Sequence, residues 1–269
     1  MAAIITRNTT QSMGTWNNGR PVRKAFVRAI LLFVALFGTL WALVVLPSFW
    51  LMAPVRKVSL HIMADGRFRP GILADMLVRM KAQQQPAILQ PELRYALALV
   101  TLQAAENAMQ RKSPDEADRE MQAAEGALRS ALEVKPTDSY LWLMLYSVVT
   151  RRNGFDPENI RYLDRSYASG PNEGWVGLRR NQLSLAIFSM LSKSVQQEVV
   201  SEFAALINSG FVEEAAINLT GVGWVERERL LENLKQVDIV SREIFAKRLA
   251  RDGAKVRIPG VELDERFWR

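Results

Sequence analysis

The chain has 269 residues, 49% hydrophobic and 23% charged, with one histidine, no cysteine and a formal net charge of +7. The missing cysteine excludes disulfides, thiolate metal sites and a cysteine nucleophile, and a single histidine without a cysteine partner cannot make a usual zinc site. The basic balance does not indicate a nucleic-acid partner: Arg7, Arg20, Arg23, Lys24 and Arg28 supply five of the seven charges, leaving 30 of the 35 basic side chains against all 28 acids in the rest, and that rest shows no basic stripe.

Residues 1–28 read as a basic tail. From Ala29 to Ala53 the chain carries no charged side chain and only Thr39 and Ser48 as hydroxyls. As helix it would rise about 37 Å, more than the roughly 30 Å of a bilayer core. Apolarity on every side predicts a transmembrane helix over 29–53, with Pro47 near its end and Phe49 and Trp50 suited to an interface. The run is too long for the core of a signal peptide, and Leu51-Met52-Ala53 followed by Pro54 is a poor cleavage site, so an uncleaved anchor is expected. Arg20, Arg23, Lys24 and Arg28 outweigh Arg56 and Lys57 across it, which favours a cytoplasmic N-terminus and an exported C-terminal domain.

Residues 54–90 read as a stalk with one short helix, built on Leu73, Met76, Leu77 and Met80 and stopped by the glutamines before Pro86. Its His61 has no metal-ligand neighbour in sequence. From Pro91 to Gly253 the pattern is helical almost throughout. Ser113-Pro114-Asp115-Glu116 predicts a helix start with a capping box, followed by the stripe Met121, Ala124, Leu128 and Leu132. Pro136 ends that helix and Asp138 caps the next, which runs to Gly154. Asp156-Pro157-Glu158 opens another, with Ile160, Leu163 and Tyr167 inward, and Gly170 is expected to close it in a left-handed conformation. Further on, Ser194 and Asp238 are expected caps, Gly210 and Gly253 expected stops, and residues 254–269 an irregular tail lying across the end. The predicted fold is therefore all-α: one transmembrane helix, then antiparallel helical hairpins joined by brief turns.

Two stretches repeat. ALRSALEVKPTDSYLWL and YLDRSYASGPNEGWVGL place Pro136 and Pro171 35 residues apart, Trp142 and Trp175 33 apart, and Trp-x-x-Leu pairs with Leu145 and Leu178 after each turn. A two-helix period near 34 resembles a degenerate tetratricopeptide repeat over residues 91–190. Ala124, Leu128, Ala131 and Pro136 match the second-helix half and Trp142, Leu145 and Tyr162 the aromatic and leucine positions. Tyr146, Val149, Glu158 and Arg165 depart from it. The whole is similar to bacterial envelope proteins in which one membrane helix precedes a degenerate helical-repeat domain, including accessories of exopolysaccharide or O-antigen assembly. That likeness implies an inner-membrane protein with a periplasmic interaction scaffold.

Neither a phosphate-binding glycine loop nor a G-x-S-x-G or HExxH motif is present, so no catalytic, cofactor or metal residue is assigned and no cofactor is expected. The glycines and Glu173 of GPNEGW read as the second copy of the inter-repeat turn KPTDSY, and Gly221-Val222-Gly223 as another turn. Stacked helix pairs offer a surface for a partner protein. Tyr140, Trp142, Tyr146, Trp175, Arg179 and Arg180 are its candidate residues; the plainer alternative is inter-repeat core for the aromatics and solvated helix face for the arginines. Two other functions stay open: a glycan-processing enzyme using carboxylates in a helical cleft, and the same scaffold facing the cytoplasm in a regulatory complex.

Overall fold

The computed structural model describes residues 26–42, Val78, 91–111, 113–171 and 173–262, and its regular elements are all helical. The chain divides into two compact units, 1–54 and 55–269. In the first, helix runs over 26–42, with large apolar side chains such as Leu32, Phe33 and Leu36 exposed. Those residues rise about 25 Å, and among the described residues no helix is long and apolar enough to cross a membrane. The rest of the span expected over 29–53 lies outside the described residues, as do most of the basic tail and stalk, with His61, and the end of the C-terminal tail.

In the second unit the helices are α1 (Pro91–Arg111), α2 (Pro114–Val134), α3 (Ser139–Asn153), α4 (Ile160–Ser169), α5 (Gly174–Leu185), α6 (Lys193–Asn208), α7 (Val212–Thr220), α8 (Arg227–Glu232) and α9 (Ile239–Arg251). Their starts follow local chemistry. Asp138 caps α3 by accepting from Leu141 N at 3.0 Å, and Asp238 caps α9 by accepting from Val240 N at 2.9 Å. Asp156 caps a 3₁₀ turn at Pro157–Asn159 that leads into α4. Three expectations are corrected. Ser113 stands at the N-cap of α2, but its hydroxyl makes no capping bond, so no capping box closes there. Ser192, not Ser194, caps α6. Gly170 ends α4 with φ −157°, outside the left-handed region; a Cβ there would meet the Glu173 carboxyl and the Ser139 hydroxyl at 2.8 Å, so those side chains would have to shift.

Neighbouring helices pair along the chain, α1 with α2, α2 with α3, α3 with α4 and α5 with α6. A second order of contact lies over this one: α3 packs on α5, α5 on α7, and α4 on α6. Stacking of that kind brings together residues one helix pair apart, and side-chain bonds recur at that separation. Arg129 donates to Tyr162 Oη at 3.1 Å, Arg152 pairs with Asp118 at 2.9 Å, Tyr167 donates to Glu202 at 2.8 Å and Asn233 to Val200 O at 3.3 Å, spanning 33, 34, 35 and 33 residues. A stack of nearest neighbours predicts such a ladder.

Two large apolar clusters and a small one around Leu99 and Val100 fill the stack. One joins α1 to α4 through Leu102, Leu128, Leu145 and Leu163; the other joins α6, α7 and α9 through Phe203, Leu219, Phe245 and Leu249, and Ile187 packs against both. Beyond α9 the chain returns over the second cluster: Ile258 is buried in it, Val256 and Val261 pack beside it, and Arg242 Nη1 donates to Pro259 O at 2.5 Å. Residues up to Glu262 thus cover the end of the core.

One group in the stack is poorly matched. Asp164 on α4 has a buried carboxylate oxygen without a hydrogen-bond partner, and burial raises its carboxyl above the ordinary aspartate value. Because the folded-state value is raised, the penalty is absent below the ordinary value of 3.8 and grows as pH rises through and beyond it. Asp164→Asn is expected to raise the thermal unfolding midpoint near neutral pH. The gain should shrink toward zero as pH falls below the aspartate range, which parallel melts of both proteins would check.

Candidate functional site

The two turns that repeat in sequence come together in space. Ser139, the first residue of α3, donates its hydroxyl to Glu173 Oε2, which ties KPTDSY to GPNEGW. Glu173 stands at the N-cap of α5 without capping it, because its carboxylate is turned to Ser139. Tyr140 follows Ser139 and Trp175 follows Gly174, so the same stacking sets their rings 4.7 Å apart, tilted by 44°. Tyr140 is half-buried and Trp175 is 40% exposed. Beside them Lys135, Thr137, Asp138, Glu173 and Trp175 line an open cleft of about 520 Å³. Burial raises the Asp138 carboxyl above its ordinary value against the lowering effect of the Leu141 N–H, and the Glu173 charge raises it further. Burial likewise raises the Tyr95 hydroxyl, helped by Asp138 and Glu173.

On the other side of the second turn lies a buried polar cluster. The Arg180 side chain is wholly buried and that of Glu202 is 6% exposed. Arg180 Nη2 and Nε donate to Glu202 Oε1 at 2.5 and 2.9 Å, Nη1 donates to Ser166 O at 2.9 Å, and Nη2 also donates to Gly170 O at 3.0 Å. Ser166 O also accepts from Gly170 N at 3.2 Å, while Gly170 itself closes α4, where the helix leaves carbonyls to be satisfied from outside. The guanidinium is therefore a C-terminal cap supplied by the following helix, and its plane stacks 4.1 Å from the Tyr167 ring centre. Tyr167 completes the cluster by donating to Glu202 Oε2. Burial pushes the Glu202 carboxyl up, opposed by Arg180, and pushes the Tyr167 hydroxyl up, helped by the Glu202 charge. Gly177 leaves the space for Glu202, whose Oε1 would lie 3.0 Å from an added Cβ.

The six candidate residues are thus divided. Tyr140 and Trp175 meet at the cleft. Trp142 is half-buried, with Nε1 donating to Pro136 O at 2.8 Å and its ring stacked on Tyr162 at 6.1 Å, so it closes its own turn. Tyr146 is buried in the first apolar cluster. Arg179 is half-exposed and shares Glu106 with Arg151, at 3.3 and 3.8 Å. Arg180 occupies neither a solvated face nor a partner-facing one, because it lies at the centre of the buried cluster. Glu202 escaped sequence reasoning altogether. A signal existed in α5, where Val176, Arg180 and Ser184 are four residues apart and all buried; that spacing puts Arg180 on the inward face, which demands a buried counter-charge.

Elsewhere Glu213 pairs with Arg248, and Glu228 is exposed beside Arg227. Among the described residues no group of three or more His, Cys, Asp or Glu side chains is placed to hold a metal ion. No protein-family model, curated protein or solved structure matches the chain.

Proposed function

We propose that the chain is a membrane-anchored interaction scaffold of the bacterial envelope, an accessory of polysaccharide assembly or export, with residues 29–53 as its anchor and a degenerate tetratricopeptide-like array in the periplasm. The observation that carries the scaffold reading is the recurring bond one helix pair apart, from Arg152–Asp118 to Tyr167–Glu202. Stacks of this kind present a continuous edge to a partner, and here that edge includes the half-exposed Tyr140–Trp175 pair. The anchor is supported by the uncharged run from Ala29 to Ala53 and the cations that precede it. The envelope setting rests on the architectural likeness alone.

The absence of native cysteine makes the topology testable with one substitution. Asn153, exposed at the end of α3, is replaced by cysteine, and intact cells with a permeable outer membrane are treated with a membrane-impermeant maleimide. Modification before lysis is the expected result. Modification only after lysis, matching a cytoplasmic control, would reverse the orientation and move the scaffold to the cytoplasmic side.

A further inference from the structure

We infer that the helical array has a membrane contact of its own: a docking surface for an anionic bilayer, in which Trp224 and Val225 enter the headgroup boundary and the cleft beside them seats lipid phosphates. The inference deepens the scaffold reading and rests on its membrane setting. It stands on one turn and one cleft, joined by Arg227.

The turn is Gly221-Val222-Gly223-Trp224-Val225, between α7 and α8. Its shape is held from within: Gly223 N donates to Asn218 O at 2.8 Å, and Glu226 N to Gly223 O at 3.0 Å. Gly223 is buried so close to the stack that a Cβ would meet Asn218 O at 2.8 Å. Around it the apolar side chains stand outward. Trp224 is 39% exposed and Val222 similarly, while Val225 is 85% exposed, more than any other large apolar side chain described between residues 91 and 262. One exposed valine needs no explanation, but three apolar side chains on one held turn make a patch.

Arg227 links that patch to the cleft. Its guanidinium lies 5.0 Å from the Trp224 ring centre, and its Nη1 donates to Trp224 O at 3.0 Å. With Lys235, Lys255 and Arg257 it lines an open cleft of about 430 Å³, whose acids are Glu228 and Glu232; four cations against two acids leave a net +2. Glu228 and Glu232 partner Arg227 and Lys235, at 3.9 and 2.9 Å. The excess therefore sits on Lys255 and Arg257, which are exposed and have no acid partner among the described residues. Val256 and Ile258, which alternate with them, pack on the second apolar cluster and leave both cations on the outer side. Flanking charges keep the sum: Glu226 stands against Arg229, Glu262 against Arg242, and Asp264 and Glu265 against Arg266 and Arg269. The complementary occupant is an anion. A free phosphate would engage the cations and leave the Trp224 patch in water. A bilayer interface accepts both, with cations at its phosphates and apolar side chains below them.

The absence of native cysteine again makes a single probe possible. The full chain with Val225→Cys, carrying a nitroxide label, is reconstituted into vesicles of phosphatidylcholine alone or of equal parts phosphatidylcholine and phosphatidylglycerol. Flotation on the uncharged vesicles reports the anchor. Relaxation of the label by oxygen against a water-soluble nickel chelate reports immersion of the turn. The expected result is a label immersed in the mixed vesicles and in water on phosphatidylcholine alone. Lys255→Gln with Arg257→Gln, both at exposed positions, should lower the immersion equilibrium about 25-fold, roughly five-fold for each cation, with an unchanged thermal melt.

Immersion that survives the double substitution removes the cleft from the contact and overturns the assignment. Flotation on phosphatidylcholine with the label in water on both vesicles overturns the docking and leaves the anchor. Immersion in mixed vesicles by a chain that does not float on phosphatidylcholine alone overturns the anchor and leaves the docking. Saturable binding of inorganic phosphate to the chain in uncharged micelles, with the label in water on mixed vesicles, gives the cleft to a free anion and overturns the bilayer as its occupant.

Discussion

Arg180→Ala is expected to lower the stability of the helical array by about 3 to 5 kcal/mol, the cost of stranding one partner of a buried ion pair. The loss has three parts, each visible at the site. Glu202, 6% exposed at its side chain, is left buried with no cation beside it and must either carry an unpaired charge or take up a proton. The Gly170 carbonyl loses the Arg180 donor, and Ser166 O is left with Gly170 N, in a place water reaches poorly. The Tyr167 ring loses its stacked guanidinium. Arg179→Ala is the internal control: its side chain is 37% exposed, so its pairing with Glu106 contributes at most about 1 kcal/mol. Urea titrations of the two variants followed by helix ellipticity would compare them, and equal midpoints would refute the clamp. Glu202→Gln keeps one carbonyl acceptor for Arg180 and turns its amide N–H to Tyr167; it leaves the guanidinium without a counter-charge, and should cost less than Arg180→Ala.

Phe203→Ala should be comparably costly, about 3 to 5 kcal/mol. Phe203 is fully buried on α6 and meets Phe245 of α9 edge to face at 6.0 Å, a geometry that adds about 0.5 to 1.5 kcal/mol to the loss of buried area. The location of the damage is as specific as its size. Phe203 and Phe245 belong to the cluster that includes Leu219, Leu249 and Ile258, while Leu128, Leu145 and Leu163 belong to the other. In a stack stabilised by nearest neighbours, amide exchange should rise throughout α7 and α9 and change little in α2 and α3. Uniform acceleration would show instead that the array unfolds as one unit.

Legibility in the sequence followed the range of the interaction. Helix identity and most stops were readable, because Pro136, Asp138, Gly154 and Gly253 act on bonds within a few residues of themselves. The GPNEGW turn was readable as a turn for the same reason, and its kinship with KPTDSY from spacing alone. The caps that failed were choices between neighbours of similar chemistry: Ser192 and Ser194 are both serines, and only backbone placement decides which accepts from Val195 N. Gly170 was read as a left-handed stop, but its reason lies in Glu173 and Ser139, the latter brought up by the stacking. The same distance hid the cluster. Arg180 and Glu202 stand 22 residues apart, and no local rule pairs them until α5 is known to lie on α6. Of the candidate residues, Trp175 was paired in sequence with Trp142 but meets Tyr140 in space, whereas Arg180 was misplaced because adjacent arginines were treated as one feature. On a helix successive residues point about 100° apart, so Arg179 and Arg180 had no reason to share an environment.

The buried arginine also imposes an order on synthesis. A chain emerging from its N-terminal side delivers α1 to α4 with the leucines of their shared cluster already in place. When α5 follows, its inward face carries Arg180, and the Glu202 carboxylate that this guanidinium pairs with is still to come on α6. Docking α5 at that moment would bury an uncompensated charge, which costs several kcal/mol. The early helices are therefore expected to close on one another as they appear, with α5 held open in water until Glu202 arrives and the two entering the stack together.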